Sequence, residues 1–193
     1  MSRPVLVPIA QGCEEIEAVT IIDTLRRAGA NVTVAACTID GDLDIEASRG
    51  VKLTADTQID QCQDKTFHMI ALPGGMPGAA NLRDCEPLIQ LLHEQQQADR
   101  WYAAICAAPA VVLAHHSLLD NVSATCYPSF LDQLEGALPR PSDPVVVDQK
   151  SKVITAQGPG NAMGFSFALI DALYGKDTHR PIAKQMLAYW AIK

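Results

Sequence analysis

The chain lacks several features that would assign it quickly. It has no basic cluster: 15 Lys and Arg stand against 22 Asp and Glu, for a net charge of −7. That balance argues against recognition of nucleic acid or an anionic membrane. It has no long apolar run, because residues 101–114 contain Pro109 and fall short of the roughly 20 residues that cross a bilayer. Its apolar start runs at once into Gly12-Cys-Glu-Glu15 without a basic opening, so no secretory leader is expected. No P-loop or dinucleotide glycine fingerprint is present, and no cofactor is called for. The six cysteines (Cys13, Cys37, Cys62, Cys85, Cys106 and Cys126) form no C-x-x-C pair and have no histidine at zinc-ligand spacing. Neither a disulfide framework nor a metal site is expected, and a reducing cytoplasm suits the chain. Five of the six read as small buried hydrophobes.

What is there describes a compact α/β protein. With 193 residues, 48% apolar and 19% charged, the chain suits one domain over 1–193, burying roughly 70% of its unfolded surface. Apolar runs predict strands over 4–10, 31–37, 67–72 and 101–105, with shorter ones at 123–126, 145–147 and 152–155. Amphipathic or apolar stretches predict helices over 14–28 (stopped by Gly29), 87–97, 107–115, 162–174 and 179–189. Alternation around Ser48-Arg49-Gly50 predicts a small β-excursion over 40–56. Strand, helix, strand within the first 37 residues is a βαβ unit. The whole predicts a doubly wound, mostly parallel, flavodoxin-like sheet between helices, with its ligand site beyond the carboxyl ends of the strands.

One residue in that pattern carries chemistry. Cys106 lies in Trp-Tyr-Ala-Ala-Ile-Cys-Ala-Ala-Pro-Ala, where a predicted strand meets a predicted helix with no linker. A nucleophile held on so sharp an elbow needs small neighbours, here Ala103, Ala104, Ala107 and Ala108. Pro109 fits the first helical turn. Free amides and the helix dipole there favour a thiolate, so this is the cysteine expected to be reactive. The dipole alone is too weak: up to ~1 kcal/mol moves a pKa by less than about one unit, which leaves a cysteine of about 8.5 far from ionised.

Glu17 is the candidate partner. Glu14 and Glu15 are explained as favourable charge at a helix start. Glu17 has Thr20 and Ile21 at helical spacing, which turns it toward the buried side. A carboxylate and a thiolate side by side raise each other's pKa, so one proton is expected to be shared, the carboxylic acid donating to sulfur. Gly74-Gly75 ends the strand at 67–72 and reads either as a tight turn or as free amides for an oxyanion hole. Gly158-Pro159-Gly160 falls at a further strand end. No histidine is placed to complete a triad: His68, His93, His115 and His116 sit in or at the ends of other elements, and His179 is ambiguous.

Together, Ala-Ile-Cys106-Ala-Ala-Pro, Leu72-Pro-Gly-Gly75, Gly12-Cys-Glu-Glu-Ile-Glu17, Leu25-Arg-Arg-Ala-Gly29, Ser48-Arg-Gly50 and Gln157-Gly-Pro-Gly160 closely resemble the ThiJ/PfpI superfamily. The resemblance runs over nearly the whole chain, in the branch of the human parkinsonism-associated deglycase and its bacterial YajL-like relatives. It implies Cys106 as the nucleophile and oxidation-sensitive thiol, Glu17 as its partner, and Gly74, Gly75 and Ala107 as backbone donors. It also implies a homodimer, with Arg27 and Arg49 as candidates for cross-subunit contacts. Human-type members carry a histidine where this chain reads Thr125-Cys-Tyr127-Pro, so Asp23, which would support that histidine, becomes structural. Tyr127 is a poor base near neutral pH. Gly158 and Pro159 remain pocket candidates.

Two functions follow as expectations. The first is cofactor-independent repair or removal of reactive carbonyls and glycated amines or thiols, of glyoxalase or deglycase type, under oxidative stress. The second is a redox-sensing, redox-gated chaperone in which Cys106 is oxidised rather than turned over. A cysteine peptidase lacks its base.

Overall fold

A computed structural model describes residues 3–192. Its centre is a seven-stranded sheet. The core strands are β1 (Pro4–Ile9), β2 (Asn31–Ala36), β6 (Met69–Leu72), β7 (Trp101–Ile105) and β11 (Val153–Ala156). β5 (Thr57–Gln58) and β10 (Val145–Asp148) close the edges, in the order β10-β11-β7-β6-β1-β2-β5. Every pairing is parallel except β10 with β11. The central strands are apolar on both faces because helices cover both faces: β6 and β11 are buried at every position.

β1 is followed by α1 (Glu15–Arg27), which crosses to β2 on one side. β6 is followed by α2 (Gly78–Arg83) and α3 (Glu86–Gln97), which lead to β7 on the other side. Right-handed crossovers in opposite directions put these helices on opposite faces. α1 packs beside α4 (Ala162–Tyr174), and α5 (His179–Gln185) lies against α4. The strand order therefore reverses between β1 and β6, which opens a crevice at their carboxyl ends.

The doubly wound, mostly parallel fold is as the sequence predicts, with local differences. The β-excursion is the hairpin of β3 (Asp44–Glu46) and β4 (Lys52–Thr54). The strand read at 123–126 is only β8 (Ser123–Ala124), and it pairs off the main sheet with β9 (Leu138–Pro139). The helix read at 107–115 is wound as a π-helix over Pro109–Ala114, with i to i+5 bonds from His115 N to Ala110 O (3.3 Å) and Leu118 N to Leu113 O (2.9 Å). The wider i to i+5 winding is rare in helices and recurs at functional sites. The closing helix read at 179–189 stops at Gln185, because Leu187 takes a left-handed backbone at φ 58°.

Candidate active site

Cys106 follows β7 directly, in the left-handed region at φ 65°. A side-chain-bearing residue there is strained, and two backbone bonds hold it: Cys106 N donates to Ala156 O of β11 (2.9 Å), and Tyr127 N donates to Cys106 O (2.7 Å). The elbow also needs Gly74, since a Cβ at that position would lie 2.7 Å from both Cys106 Cβ and Ile105 O. Gly75 is required for a separate reason. Its φ is 86°, and a Cβ would meet Glu14 N at 2.6 Å.

Glu17 reaches this elbow from the first turn of α1 and is fully buried. The Glu14 side chain caps the helix by accepting from Glu17 N at 2.7 Å, which fixes the turn that aims Glu17 inward. Glu17 Oε2 accepts from Gly74 N at 2.8 Å. Among the described residues Oε1 has no hydrogen-bond partner, and the Cys106 thiol is one of the groups acting on the carboxyl. Burial, above all, pushes Glu17 up to about 7; the Glu14 charge adds to this, while the Gly74 amide and the thiol oppose it.

The sulfur is also more closed than the sequence implies. Cys106 is 9% exposed. Burial and then the charge on Glu17 push its thiol up to about 12, against the Gly75 and Ala107 amides, which pull it down. Desolvation outweighs those amides, so the helix start by itself leaves the thiol protonated. Two charges in this space exclude each other, so the pair keeps a proton, and the sulfur becomes a nucleophile when Glu17 takes it.

The backbone donors also need one correction. Gly75 and Ala107 amides face the sulfur, but the Gly74 amide is spent on Glu17, so Gly74 drops out of the oxyanion set and becomes the residue that orients the carboxyl.

The other candidates are dispersed around this centre. Tyr127 is linked to Cys106 through the backbone, and its ring covers Gly158, where a Cβ would come within 3.3 Å. Pro159 opens a short 3₁₀ turn after β11. Asp23 and Arg27 form an exposed ion pair (2.7 Å) on the outer face of α1. Arg49 donates from Nη1 to Ser48 O (3.2 Å), and its amide donates to Glu15 Oε1 (2.8 Å). His116 meets Arg83 O and His179 pairs with Asp171. His68 precedes β6 at the opposite end of the sheet from Cys106. A cavity of about 410 Å³ lies beyond the elbow helix, lined by Met76, Arg83, Val111, His115 and Phe130, and Cys106 is not in its wall.

Sequence reasoning missed Glu15. It is buried, and its carboxylate accepts from Ser48 Oγ and Arg49 N, both at 2.8 Å, tying the hairpin loop to α1. Only the Ser48-Arg49-Gly50 turn carries any signal of this in the sequence.

Comparison with known proteins matches residues 3–172 to the DJ-1/PfpI family. Protein DJ-1 homolog B of Arabidopsis thaliana is 40% identical over 176 residues, 91% of this chain and 39% of its own length. The chain likewise spans 45% of Arabidopsis DJ-1 homolog A, so it covers less than half of these relatives. The glutathione-independent glyoxalase DJR-1.2 of Caenorhabditis elegans is 31% identical over 186 residues, covering 96% of this chain and 95% of that protein. The solved structure of oxidized DJ-1 from Toxoplasma gondii superposes with a TM-score of 0.90 at 44% identity, over 96% of this chain and 98% of that one.

Proposed function

The chain belongs to the DJ-1/PfpI family, and from that premise we propose that it is a cofactor-independent enzyme that removes or repairs reactive carbonyls through Cys106 and Glu17. The observation that carries this reading is a strained cysteine at φ 65° whose sulfur faces the Gly75 and Ala107 amides beside a buried carboxyl pushed up to about 7. A base with a pKa near the working pH is suited to taking and returning a proton. The relative named as a glutathione-independent glyoxalase supports this substrate class.

For a 2-oxoaldehyde the steps balance without an external oxidant. Glu17 takes the thiol proton as sulfur adds to the aldehyde carbon, and the resulting oxyanion lies where the Gly75 and Ala107 amides stabilise it. Protonation gives a hemithioacetal. Glu17 then moves a proton from the former aldehyde carbon to the neighbouring carbonyl carbon while the hemithioacetal hydroxyl proton passes to the neighbouring oxygen, which oxidises one carbon and reduces the other to give a 2-hydroxyacyl thioester. Water releases the hydroxy acid and regenerates the thiol. With a glycated amine, an aminocarbinol, sulfur takes the place of nitrogen on the same carbon: the C–S bond forms, the C–N bond breaks, and the repaired amine departs with the thiol proton, leaving the same hemithioacetal. The test is lactate formation from methylglyoxal by wild type and Cys106→Ser; equal turnover by the two would sink this reading.

One observation favours a second use of the same sulfur. With its pKa near 7, Glu17 holds a proton much of the time and is placed to donate to an oxidised Cys106. In the redox-sensing, chaperone reading, mild peroxide oxidises Cys106 before Cys13 or Cys126. Even oxidation of the three would count against it.

The homodimer is part of the same proposal. Ile16 and Val19 are 57% and 47% exposed on α1, near the Arg49 loop that Glu15 holds, with Arg27 at the far end of the same helix, an apolar patch suited to a second copy. Val19→Glu is expected to give a monomer by sedimentation. A wild type that is already monomeric would remove the interface.

A further inference from the structure

The cavity beyond the elbow has a volume of about 410 Å³, within the range of small-ligand pockets, and nothing in the carbonyl chemistry uses it. Its floor is the π-helix, through the side chains of Ala110, Val111 and Ala114. Both α2 and the 3₁₀ turn Pro128–Gln133 pack against this helix, whereas no comparable packing joins them to each other, so they stand as separate walls of a cleft. Arg83 comes from the end of α2, and Phe130, Gln133 and Glu135 come from the turn and the residues just after it.

The two walls carry opposite charge, and their polar groups are not all paired. Arg83 Nε and Nη2 donate to Asp84 Oδ1 and Oδ2 at 2.7 and 2.8 Å, which fixes the guanidinium and leaves Nη1 without a partner among the described residues. His116 Nε2 meets Arg83 O at 2.9 Å, tying the end of α2 to the segment just past the π-helix. On the far wall, the Glu135 carboxylate and the Gln133 amide have no hydrogen bond or ion pair among the described residues. Between the walls lie the two alanines, Val111 and the Phe130 ring.

We propose that this cleft binds a short apolar peptide with free ends, of dipeptide length, its carboxylate on Arg83 and its amine on Glu135. A carboxylate alone would leave Glu135 as a like charge beside it, and an amine alone would leave the Arg83 donor edge unused. A ligand bearing both ends meets both walls, and its apolar side chains cover Val111 and Phe130. Length follows from the floor. One helix with its side chains is about 10 Å wide, and the Arg83 and Glu135 side chains shorten that gap. The two charges of a single amino acid share one carbon and are too close to meet both walls, whereas each further residue adds about 3.5 Å. Binding here does not depend on turnover at Cys106, so the site stands apart from the carbonyl reading.

The full chain carrying Cys106→Ser, titrated with L-leucyl-L-leucine and followed by amide chemical-shift NMR, tests the site without any turnover. Saturable shifts are expected at residues 83, 110–114 and 130–135. N-acetyl-leucyl-leucine, leucyl-leucinamide and free L-leucine should each bind about 3- to 10-fold more weakly, since each loses one charged contact. Glu135→Gln should bind the acetylated and free peptides alike, and Arg83→Gln should do the same for the amide. Glu135 is exposed and makes no bond that its replacement would break, so this variant keeps the test open if Arg83→Gln disturbs α2. An absence of saturable shifts, shifts centred elsewhere, or equal affinity for the peptide and both blocked forms would overturn the assignment, and leucine binding as tightly as the dipeptide would overturn its length.

Discussion

Glu15 and Glu17 are two residues apart in one helical turn, both carboxyls are buried, and they have opposite electrostatic fates. Burial works to raise Glu15, but its own amide, the Ser48 hydroxyl and the Arg49 amide outweigh it and hold the carboxyl below the usual range. Glu17 has one amide, from Gly74, and a bare oxygen toward sulfur, and it rises to about 7. At Glu15 the donors outweigh burial and keep the carboxylate charged, whereas at the deeper Glu17 burial outweighs its single amide. The first glutamate ties two elements together, whereas the second is left short of donors and so able to move a proton.

The largest effect expected from breaking this contrast is at the sulfur that Glu17 serves. Cys106→Ser should lower lactate formation by at least about 10³-fold, since the nucleophile itself is gone. Glu17→Gln keeps the shape and the contact to Gly74 but cannot accept the thiol proton, and a loss of about 10²–10⁴-fold in kcat/KM is expected. A Glu17→Gln enzyme of near wild-type activity would show that the carboxyl is not the base.

The pH dependence sharpens the contrast. Because Glu17 must be ionised to act as base, kcat/KM of wild type should climb through about pH 7. Stability runs the other way. Glu17 is raised in the folded state, so its contribution is fully present below its unfolded pKa of 4.5 and is lost as pH rises through about 7. Glu17→Gln should therefore melt higher than wild type above pH 7, by on the order of 3 kcal/mol at full effect. Glu15 is lowered, so its contribution is present above its unfolded pKa and is lost as pH falls below the carboxylate range. Glu15→Gln should cost about 1–3 kcal/mol at neutral pH, and the deficit should shrink in acid. Melting curves of both variants at pH 4 and pH 8 check the opposite signs.

The same contrast marks what the sequence makes legible. The βαβ order, the elbow and the inward turn of Glu17 are all periodic or local, so spacing reveals them. The excursion at 40–56 is legible as well, because alternation and a Ser-Arg-Gly turn are short-range signals. The role of Glu15 depends on Ser48 and Arg49, more than thirty residues away, and nothing in its own helix announces that contact. The Gly74 amide is similar: a glycine pair signals free amides, but which acceptor takes each is decided by tertiary placement. The helix start at Cys106 is visible in the sequence, whereas the depth of its sulfur belongs to the packed structure. The π-winding of Pro109–Ala114, directly after the elbow, has no periodic signature in the sequence.

The smallest expected effect completes the comparison from the solvent side. Asp23 is on the same helix as Glu15 and Glu17, with a short bond to Arg27, yet both partners are about half exposed. Water already solvates each charge, so holding two long side chains in register gains little, about 0.3–0.5 kcal/mol for such a pair. In the monomer formed by Val19→Glu, Asp23→Asn should therefore shift the melting point barely beyond error, and 1 M salt should remove even that difference by screening. Activity should be unchanged, since no histidine near Cys106 depends on Asp23. A larger loss in the wild-type homodimer, approaching that of Glu15→Gln, is what burial of this face against a second copy of the chain would add. The exposed pair therefore serves as the control that separates charge held by donors from charge left in water.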